Sequence, residues 1–260
     1  MALVKMKELL QRNERNKTAT GAFSVGNMEM VKGAVKAAEE LNTPIIQAAK
    51  EAKVDIAVHL DHGLTMETVK QALNLGFTSV MLDASSLPFE DNISKTKQVV
   101  KLAKTYGATV EAELGVVGGS EDGSVDNEIL YTNPKDAEEF CGETGIDALA
   151  VAIGNAHGNY KKAPKLAFNV LNEINQSVSV PLVLHGGSGI SDKDFQRAIS
   201  LGIRKVNIAT ANFNSLTKYA VEYIKNNSKC DFFGLNEAMV QGTYENIKKH
   251  INVFRTPYEK

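Results

Sequence analysis

Residues 54–63 read Val54-Asp55-Ile56-Ala57-Val58-His59-Leu60-Asp61-His62-Gly63. An apolar, β-branched run closes on an acid, an imidazole and a glycine, and a helical pattern follows over 65–75. A buried parallel strand reads this way, carrying Asp61 and His62 into the loop beyond its C-terminal end. Two later runs end alike. Residues 148–153 (Ala148-Leu149-Ala150-Val151-Ala152-Ile153) lead to Gly154-Asn155-Ala156-His157-Gly158. Residues 180–184 lead to His185-Gly186-Gly187-Ser188-Gly189. Three histidines, each past a hydrophobic strand and each followed by glycine, point to one metal site on one face of a sheet or barrel.

Outward from these runs, strands and helices alternate. A helix over 3–16 precedes strands expected at 18–25 and 43–47, with a helix over 28–41 between them and Asn27 as its N-cap. After 54–63 come a helix (65–75, closed by Gly76), a strand (78–82, ending at Asp83) and a helix (91–106, closed by Gly107). A strand over 108–114 then opens a long polar loop, 115–133, of the length that is usually functional or mobile. A helix starts at Pro134 and runs to 144. Strands over 146–153, 182–184 and 205–208 alternate with helices over 163–174 and 191–201, the latter capped by Ser191. Helices over 210–226 and 235–254 finish the chain. Eight strands in 260 residues predict a (β/α)8 TIM barrel with extra N-terminal and C-terminal helices, residues 1–260 forming one domain. An open doubly wound sheet is the alternative, weakened because no strand leads into G-x-G-x-x-G.

One connection is too short. Only 48–53 separate the strand ending at Gln47 from the one starting at Val54, whereas a parallel crossover takes about a dozen or more residues. Residues 48–53 resemble the last turns of a longer helix. The spacing implies that a loop and the start of that helix belong near 47–48 and are absent from the sequence.

Net charge is -2 with no basic run, which excludes nucleic acid as an expected partner. No apolar stretch approaches the ~20 residues of a membrane span, and the N-terminus lacks the apolar core of a signal peptide, so the expected location is cytoplasmic. The two cysteines, Cys141 and Cys230, lack metal-ligand spacing and read as buried or incidental thiols.

In a barrel the C-terminal strand ends converge on one mouth. Ser24, Gln47, Asp61, His62, Asp83, Glu113, the 115–133 loop, His157, His185 and Asn207 all fall there. His62, His157 and His185 supply three imidazole nitrogens, and three protein ligands plus an open position describe a catalytic zinc site. The competing reading is three hydrogen-bonded core histidines. His59 lies within its strand and His250 on the last helix, both read as structural, with His59 also able to orient a ligand. Asp61, adjacent to His62, can move a proton beside the metal or serve as a hydrogen-bond partner. Asp83 and Glu113 end neighbouring strands and fit either a second cation or an ion pair with lysine. Residues 185–191 form a glycine-rich turn opening a helix, and 206–210 lead into another helix N-terminus. Both suit a phosphate, at the strands where barrels often bind one. Glu121, in Gly118-Gly119-Ser120-Glu121-Asp122-Gly123, is an acid on a loop able to close over the site.

The ordered motifs Gly21-Ala22-Phe23-Ser24, His59-Leu60-Asp61-His62-Gly63, Met81-Leu82-Asp83-Ala84-Ser85, Glu111-Ala112-Glu113-Leu114-Gly115, Gly118-Gly119-Ser120-Glu121-Asp122, Asn155-Ala156-His157-Gly158, His185-Gly186-Gly187-Ser188-Gly189 and Asn207-Ile208-Ala209-Thr210 span essentially the whole chain. Together they resemble the class II (metal-dependent) fructose-bisphosphate and tagatose-bisphosphate aldolases. The resemblance implies a carbon–carbon lyase of glycolysis and carbohydrate metabolism. It would reversibly cleave a ketose 1,6-bisphosphate to dihydroxyacetone phosphate and glyceraldehyde 3-phosphate through a zinc-stabilised enediolate. It implies zinc on His62, His157 and His185, and a second metal site at Asp83 and Glu113. Dihydroxyacetone phosphate would lie on Gly158, Gly186, Gly187, Ser188, Asn207, Ile208, Ala209 and Thr210, with Ser24 and Gln47 also facing substrate. A monovalent cation (Na+ or K+) would assist the phosphate. Asp61 matches the acid/base at the C4 hydroxyl, and Glu121 the loop acid that deprotonates dihydroxyacetone phosphate. A homodimer or homotetramer is expected.

Two departures stand out. The family's segment after the second strand is usually longer, and Ser120 stands where some relatives carry Glu or Gln. The chain's length and Ser24 lean toward the tagatose-type subgroup. The rivals are a Schiff-base aldolase, for which Lys161 and Lys162 are poorly placed, a related class II aldolase acting on another sugar phosphate, and a barrel that keeps the metal site without catalysis.

Overall fold

Helix α1 (Met6–Asn16) turns Met6, Leu9 and Leu10 inward, all essentially fully buried. They pack against Ala22, Ala57, Ala148, Ala150 and Val183, four alanines from three strands and one valine from a fourth. Each leucine so buried contributes roughly 1.5–3 kcal/mol. The remaining elements follow in alternation: β1 (Thr20–Phe23), α2 (Met28–Glu40), β2 (Ile45–Ile46), β3 (Ile56–Ala57), β4 (His59–Gly63), α3 (Met66–Asn74) and β5 (Ser79–Leu82). Then come α4 (Phe89–Tyr106), β6 (Thr109–Leu114), α5 (Pro134–Thr144), β7 (Ala148–Val151) and α6 (Phe168–Ser177). The chain ends with β8 (Leu182–Leu184), α7 (Asp192–Ser200), β9 (Ile203–Ile208), α8 (Thr210–Asn226) and α9 (Phe232–Arg255). The computed structural model describes residues 3–46, 53–119, 130–160 and 163–259.

Every strand pairing is parallel, in the order β3-β2-β1-β9-β8-β7-β6-β5-β4. The two ends of that order, β3 and β4, are halves of one run separated only by Val58. At Val58 the run changes neighbour: its carbonyl accepts from both Thr78 N and Ser79 N at 3.0 Å, and its amide donates to Thr78 Oγ1 at 3.1 Å. The sheet therefore closes on itself with eight strand positions. This is the expected (β/α)8 barrel, with α1 before it and α9 after it.

The outward residues of the strands, among them Phe23, Ile56, Leu149, Val151, Leu182 and Leu184, join the helices in one continuous apolar layer. Helix ends follow local chemistry. Asn27 Oδ1 accepts from Met30 N at 3.0 Å, and Ser191 Oγ from Asp194 N at 3.1 Å. Gly107 closes α4 in the left-handed region at φ 65°.

Four helix starts differ from the sequence reading by two residues or more, the first being α1, which begins at Met6, not 3. Helix α6 begins at Phe168, not 163, because Pro164 disfavours helical backbone before it and the Ala167 amide is used by Ile153 O at 2.8 Å. Helix α9 begins at Phe232, three residues earlier than expected, because Asp231 Oδ1 accepts from both Phe233 N and Gly234 N. Helix α4 begins at Phe89, directly after Pro88. Cys230 is exposed and Cys141 partly buried, so neither is a core thiol.

Ile45 pairs with Ile56, so β2 and β3 are direct neighbours although only 47–55 connect them. Gln47 and the additional segment expected near 47–48 lie outside the described residues, as does Glu121. No helix among the described residues is long and apolar enough to cross a membrane.

Candidate active site

Successive residues of a strand point to opposite faces, so Asp61 and His62 should not share a site. The β4–β5 register shifts between Leu60 and Gly63, and His62 takes φ 47°, left-handed backbone that a non-glycine residue rarely adopts. The irregularity aims both side chains into the barrel mouth. Asp61 receives two hydrogen bonds from Asn207 Nδ2, at 3.0 and 2.9 Å, across the barrel from β9. His62 meets β5 and β8 instead. Its Nδ1 lies 2.8 Å from Asp83 Oδ2, and its Nε2 lies 2.9 Å from His185 Nδ1.

His157 completes the group. The ring centroids lie 4.9 Å (His62–His157), 4.7 Å (His62–His185) and 5.9 Å (His157–His185) apart. One nitrogen from each falls within 4.8 Å of the others. The turn bearing His157 is stitched to the base of the 115–133 loop: His157 N donates to Gly118 O at 2.7 Å. A side chain at Gly119 would meet His157 O at 2.6 Å, so the loop can approach this closely only with glycine there. Asp83, Glu113, Gly119, His62 and His157 line a cleft of about 360 Å³.

Charge is dense here. Burial works against protonation of His62, but the hydrogen bond it donates to Asp83 and the neighbouring carboxylate charges prevail and lift its pKa to about 9. Asp83 is pushed up by burial and pulled further down by His62 and Ser85, ending below the usual carboxylate range. Burial, and then the Asp83 charge, push Glu113 up to about 8. Its Oε2 is buried with no hydrogen-bond partner among the described residues, 3.4 Å from His185 Nδ1. Burial opposes ionisation of Asp61 as well, yet Lys205 and the surrounding histidines hold its carboxyl well below the ordinary range. Burial followed by Lys205 lowers His59 to about 4.

These residues fit a divalent cation. Nitrogens bound to one zinc at ~2.0–2.1 Å lie roughly 3–3.5 Å apart, close to the 2.9 Å between His62 Nε2 and His185 Nδ1. Asp83 on His62 Nδ1 favours the tautomer that leaves Nε2 free to ligate. The unpartnered Glu113 oxygen supplies a further hard donor, and His62, Asp83 and Glu113 form a second cluster able to hold an ion.

Beside the cluster lies the expected phosphate region. Gly186 has φ 61°, and a Cβ there would meet Ala156 O at 2.2 Å. Gly187 N donates to Asn207 O at 3.0 Å, tying the β8 and β9 turns together. Ser188 Oγ accepts from Ala211 N at 2.9 Å in the first turn of α8, which Thr210 opens. Ser188, Gly189, Ala211, Asn159 and Tyr160 line a cavity of about 540 Å³. Ile208 and Ala209 are buried, so only their backbones can face a ligand. Gly158 takes φ 81° in the turn after His157. Ser24 lies just past β1, its amide on Ile208 O at 3.2 Å.

The sequence reading gave no role to Glu111, Lys205 or Tyr160. Glu111 Oε1 lies 2.8 Å from His185 Nε2, and Lys205 Nζ lies 2.8 and 3.1 Å from the Glu111 oxygens. Tyr160 OH accepts from Ala156 N and donates to Gly186 O, both at 2.8 Å, joining the two histidine turns. Polar residues inside strands that otherwise read as fully apolar were the available signal for Glu111 and Lys205. Lys205 is also a buried lysine inside the barrel, the position a Schiff-base aldolase would need. Its ammonium is committed to Glu111.

The chain matches the family model for class-II fructose-bisphosphate aldolase over residues 4–257. It is 43% identical over 253 residues to a fructose-bisphosphate aldolase of Staphylococcus aureus, covering 88% of each chain. It is 43% identical over 248 residues to that of Geobacillus stearothermophilus, covering 86% of each. The crystal structure of the YdjI aldolase from Escherichia coli K12 superposes with a TM-score of 0.85 at 37% identity, covering 97% of each chain. A closed barrel, a histidine cluster at its C-terminal mouth and a family match over nearly the whole length converge: the chain belongs to the class-II fructose-bisphosphate aldolase family.

Proposed function

We propose that this aldolase cleaves a ketose 1,6-bisphosphate, fructose or tagatose 1,6-bisphosphate, to dihydroxyacetone phosphate and glyceraldehyde 3-phosphate. Zinc would be held by His62, His157 and His185. The observation that carries this reading is the convergence of those three imidazoles beside Asp61 at the barrel mouth. A zinc ion there supplies a Lewis acid for the substrate's carbonyl oxygen and for the negative charge that develops on it.

The chain's own groups do the rest. Asp61 is ionised and held by Asn207, so it accepts the C4 hydroxyl proton on cleavage and returns it on condensation. Gly186, Gly187 and Ser188, with the N-terminus of α8 at Thr210, offer backbone donors to a phosphate. Asn207, Ile208, Ala209 and Gly158 flank that position, and a monovalent cation would balance its charge. Ser24, and Gln47 by resemblance, would contact the substrate. Glu121, assigned by resemblance, would take the proton from dihydroxyacetone phosphate. Its loop is anchored at Gly118 on the His157 turn. Asp83 and Glu113 would hold a second cation. We place the reaction in the cytoplasm, in keeping with the amphipathic residues 1–8. We read the active form as a homodimer or homotetramer, in keeping with exposed apolar residues such as Phe232 and Phe233.

The test is cleavage of both bisphosphates with and without EDTA, then with zinc restored. Metal-dependent cleavage supports the reading, and the ratio of rates names the substrate. Cleavage that survives EDTA and is trapped by borohydride overturns it in favour of a Schiff base, for which Lys205 is the candidate. Zinc binding with cleavage of neither sugar moves the assignment to another sugar phosphate.

A further inference from the structure

Glu111 and Lys205 sit on β6 and β9, on opposite sides of the barrel axis, and both are almost completely buried. A buried ion pair is weak evidence for stability, since apolar residues of similar volume often serve as well. Glu111 pairs in register with Ala148, one of the alanines that pack with the α1 leucines, so the pair borders an apolar cluster. The pair therefore calls for another explanation, and its contacts supply one. Glu111 touches His185 at Nε2, the nitrogen facing away from His62.

We propose that Glu111 is a positioning residue for His185, with Lys205 as the counter-ion that keeps its carboxylate an acceptor. The proposal rests on the zinc reading above. A carboxylate accepting at Nε2 fixes the proton on that nitrogen and leaves the Nδ1 lone pair directed at His62 and Glu113. His62 is set the opposite way, with Asp83 on Nδ1 and Nε2 facing inward. The two histidines thus meet the metal position through different ring nitrogens, each fixed by its own carboxylate. The Lys205 ammonium spans both Glu111 oxygens, at 3.1 and 2.8 Å, which also fixes the plane of the carboxylate against the imidazole.

The test measures zinc affinity by competition with a chromophoric chelator, and the visible spectrum of the Co(II)-loaded protein, in full-length variants. Glu111→Leu paired with Lys205→Met removes both charges together, so no lone charge is left buried. Its denaturant midpoint reports folding independently. The expected result is a folded protein whose zinc affinity falls about 10–100-fold and whose Co(II) spectrum changes. Glu111→Gln, which keeps an acceptor for Nε2–H, should retain most of that affinity and the wild-type spectrum. Wild-type affinity and spectrum in the folded double variant overturn the proposal, as does a Glu111→Gln variant that is folded but as weak as the double variant. Should the double variant unfold, Glu111→Ala replaces it: wild-type affinity and spectrum in that folded variant overturn the proposal, as does a folded Glu111→Gln whose affinity is lower than the wild type's by about 10-fold or more. His157→Ala is the separate control: if it binds zinc as the wild type does, the metal site itself is misassigned.

Discussion

Asp83 Oδ2 lies 2.8 Å from Nδ1 of His62, and Asp83 Oδ1 accepts from the amide and hydroxyl of Ser85 at 3.1 and 2.7 Å. The carboxylate is therefore fixed before it fixes the imidazole. His62 is the least comfortable of the three histidines, because its backbone sits at φ 47°. Replacing Asp83 with Asn removes the charge but not the shape. The expected outcome is zinc affinity lower by about 10–100-fold with little change in the denaturation midpoint, measured by chelator competition. Unchanged affinity would show that Asp83 does not orient His62.

Asn207 spends its one amide nitrogen on both oxygens of Asp61. Hydrogen bonds to a charged group are worth about 1.5–3 kcal/mol, which corresponds to roughly 10–100-fold in rate if fully expressed in the transition state. Asn207→Ala should lower kcat by that order. Steady-state cleavage kinetics check this, and a variant changing KM alone would reassign Asn207 to phosphate binding only.

Gly186 has two reasons to be glycine. Its φ of 61° costs any other residue about 1–2 kcal/mol, and a Cβ would collide with Ala156 O at 2.2 Å. Gly186→Ala should destabilise the protein by more than that strain alone, measured by urea unfolding. It should also raise KM, since the turn that faces the phosphate must move.

His250 gives a pH signature away from the site. It is buried against Phe195 and Phe254, donates from Nδ1 to Asn246 O at 2.7 Å, and has Lys249 and Asp192 as its charged neighbours. Burial lowers its pKa, so the folded state prefers the neutral ring. The stability it permits is complete above the unfolded value of about 6.5 and is lost as pH falls from there toward the folded value. Unfolding midpoints measured between pH 8 and 5 should fall more steeply for the wild type than for His250→Gln. Parallel curves would count against a neutral buried ring.

Much of this was legible in the chain. Parallel strands buried on both faces read as continuous apolar runs, and here each run breaks into polar residues at the same end, which fixes the mouth of the barrel. Residues 148–153 and 180–185 illustrate this directly. What stayed hidden depends on contacts between distant residues. Strict alternation sends Asp61 and His62 to opposite faces, and only the register shift against β5 brings both into the site. Glu111 and Lys205 are 94 positions apart, and a lone lysine in a strand reads alike whether it is paired across a barrel or snorkels to solvent. The start of α6 is set by a tertiary contact, the Ala167 amide on Ile153 O, which local periodicity does not show.

The most direct test of the central claim is a zinc titration of the metal-stripped protein, followed by cleavage of fructose 1,6-bisphosphate and tagatose 1,6-bisphosphate. The account predicts no cleavage without metal, recovery that rises linearly to a break at about one zinc per chain, and no recovery in His62→Ala, His157→Ala or His185→Ala. Full cleavage by the stripped protein, or recovery in any folded histidine variant with wild-type zinc affinity, would contradict it.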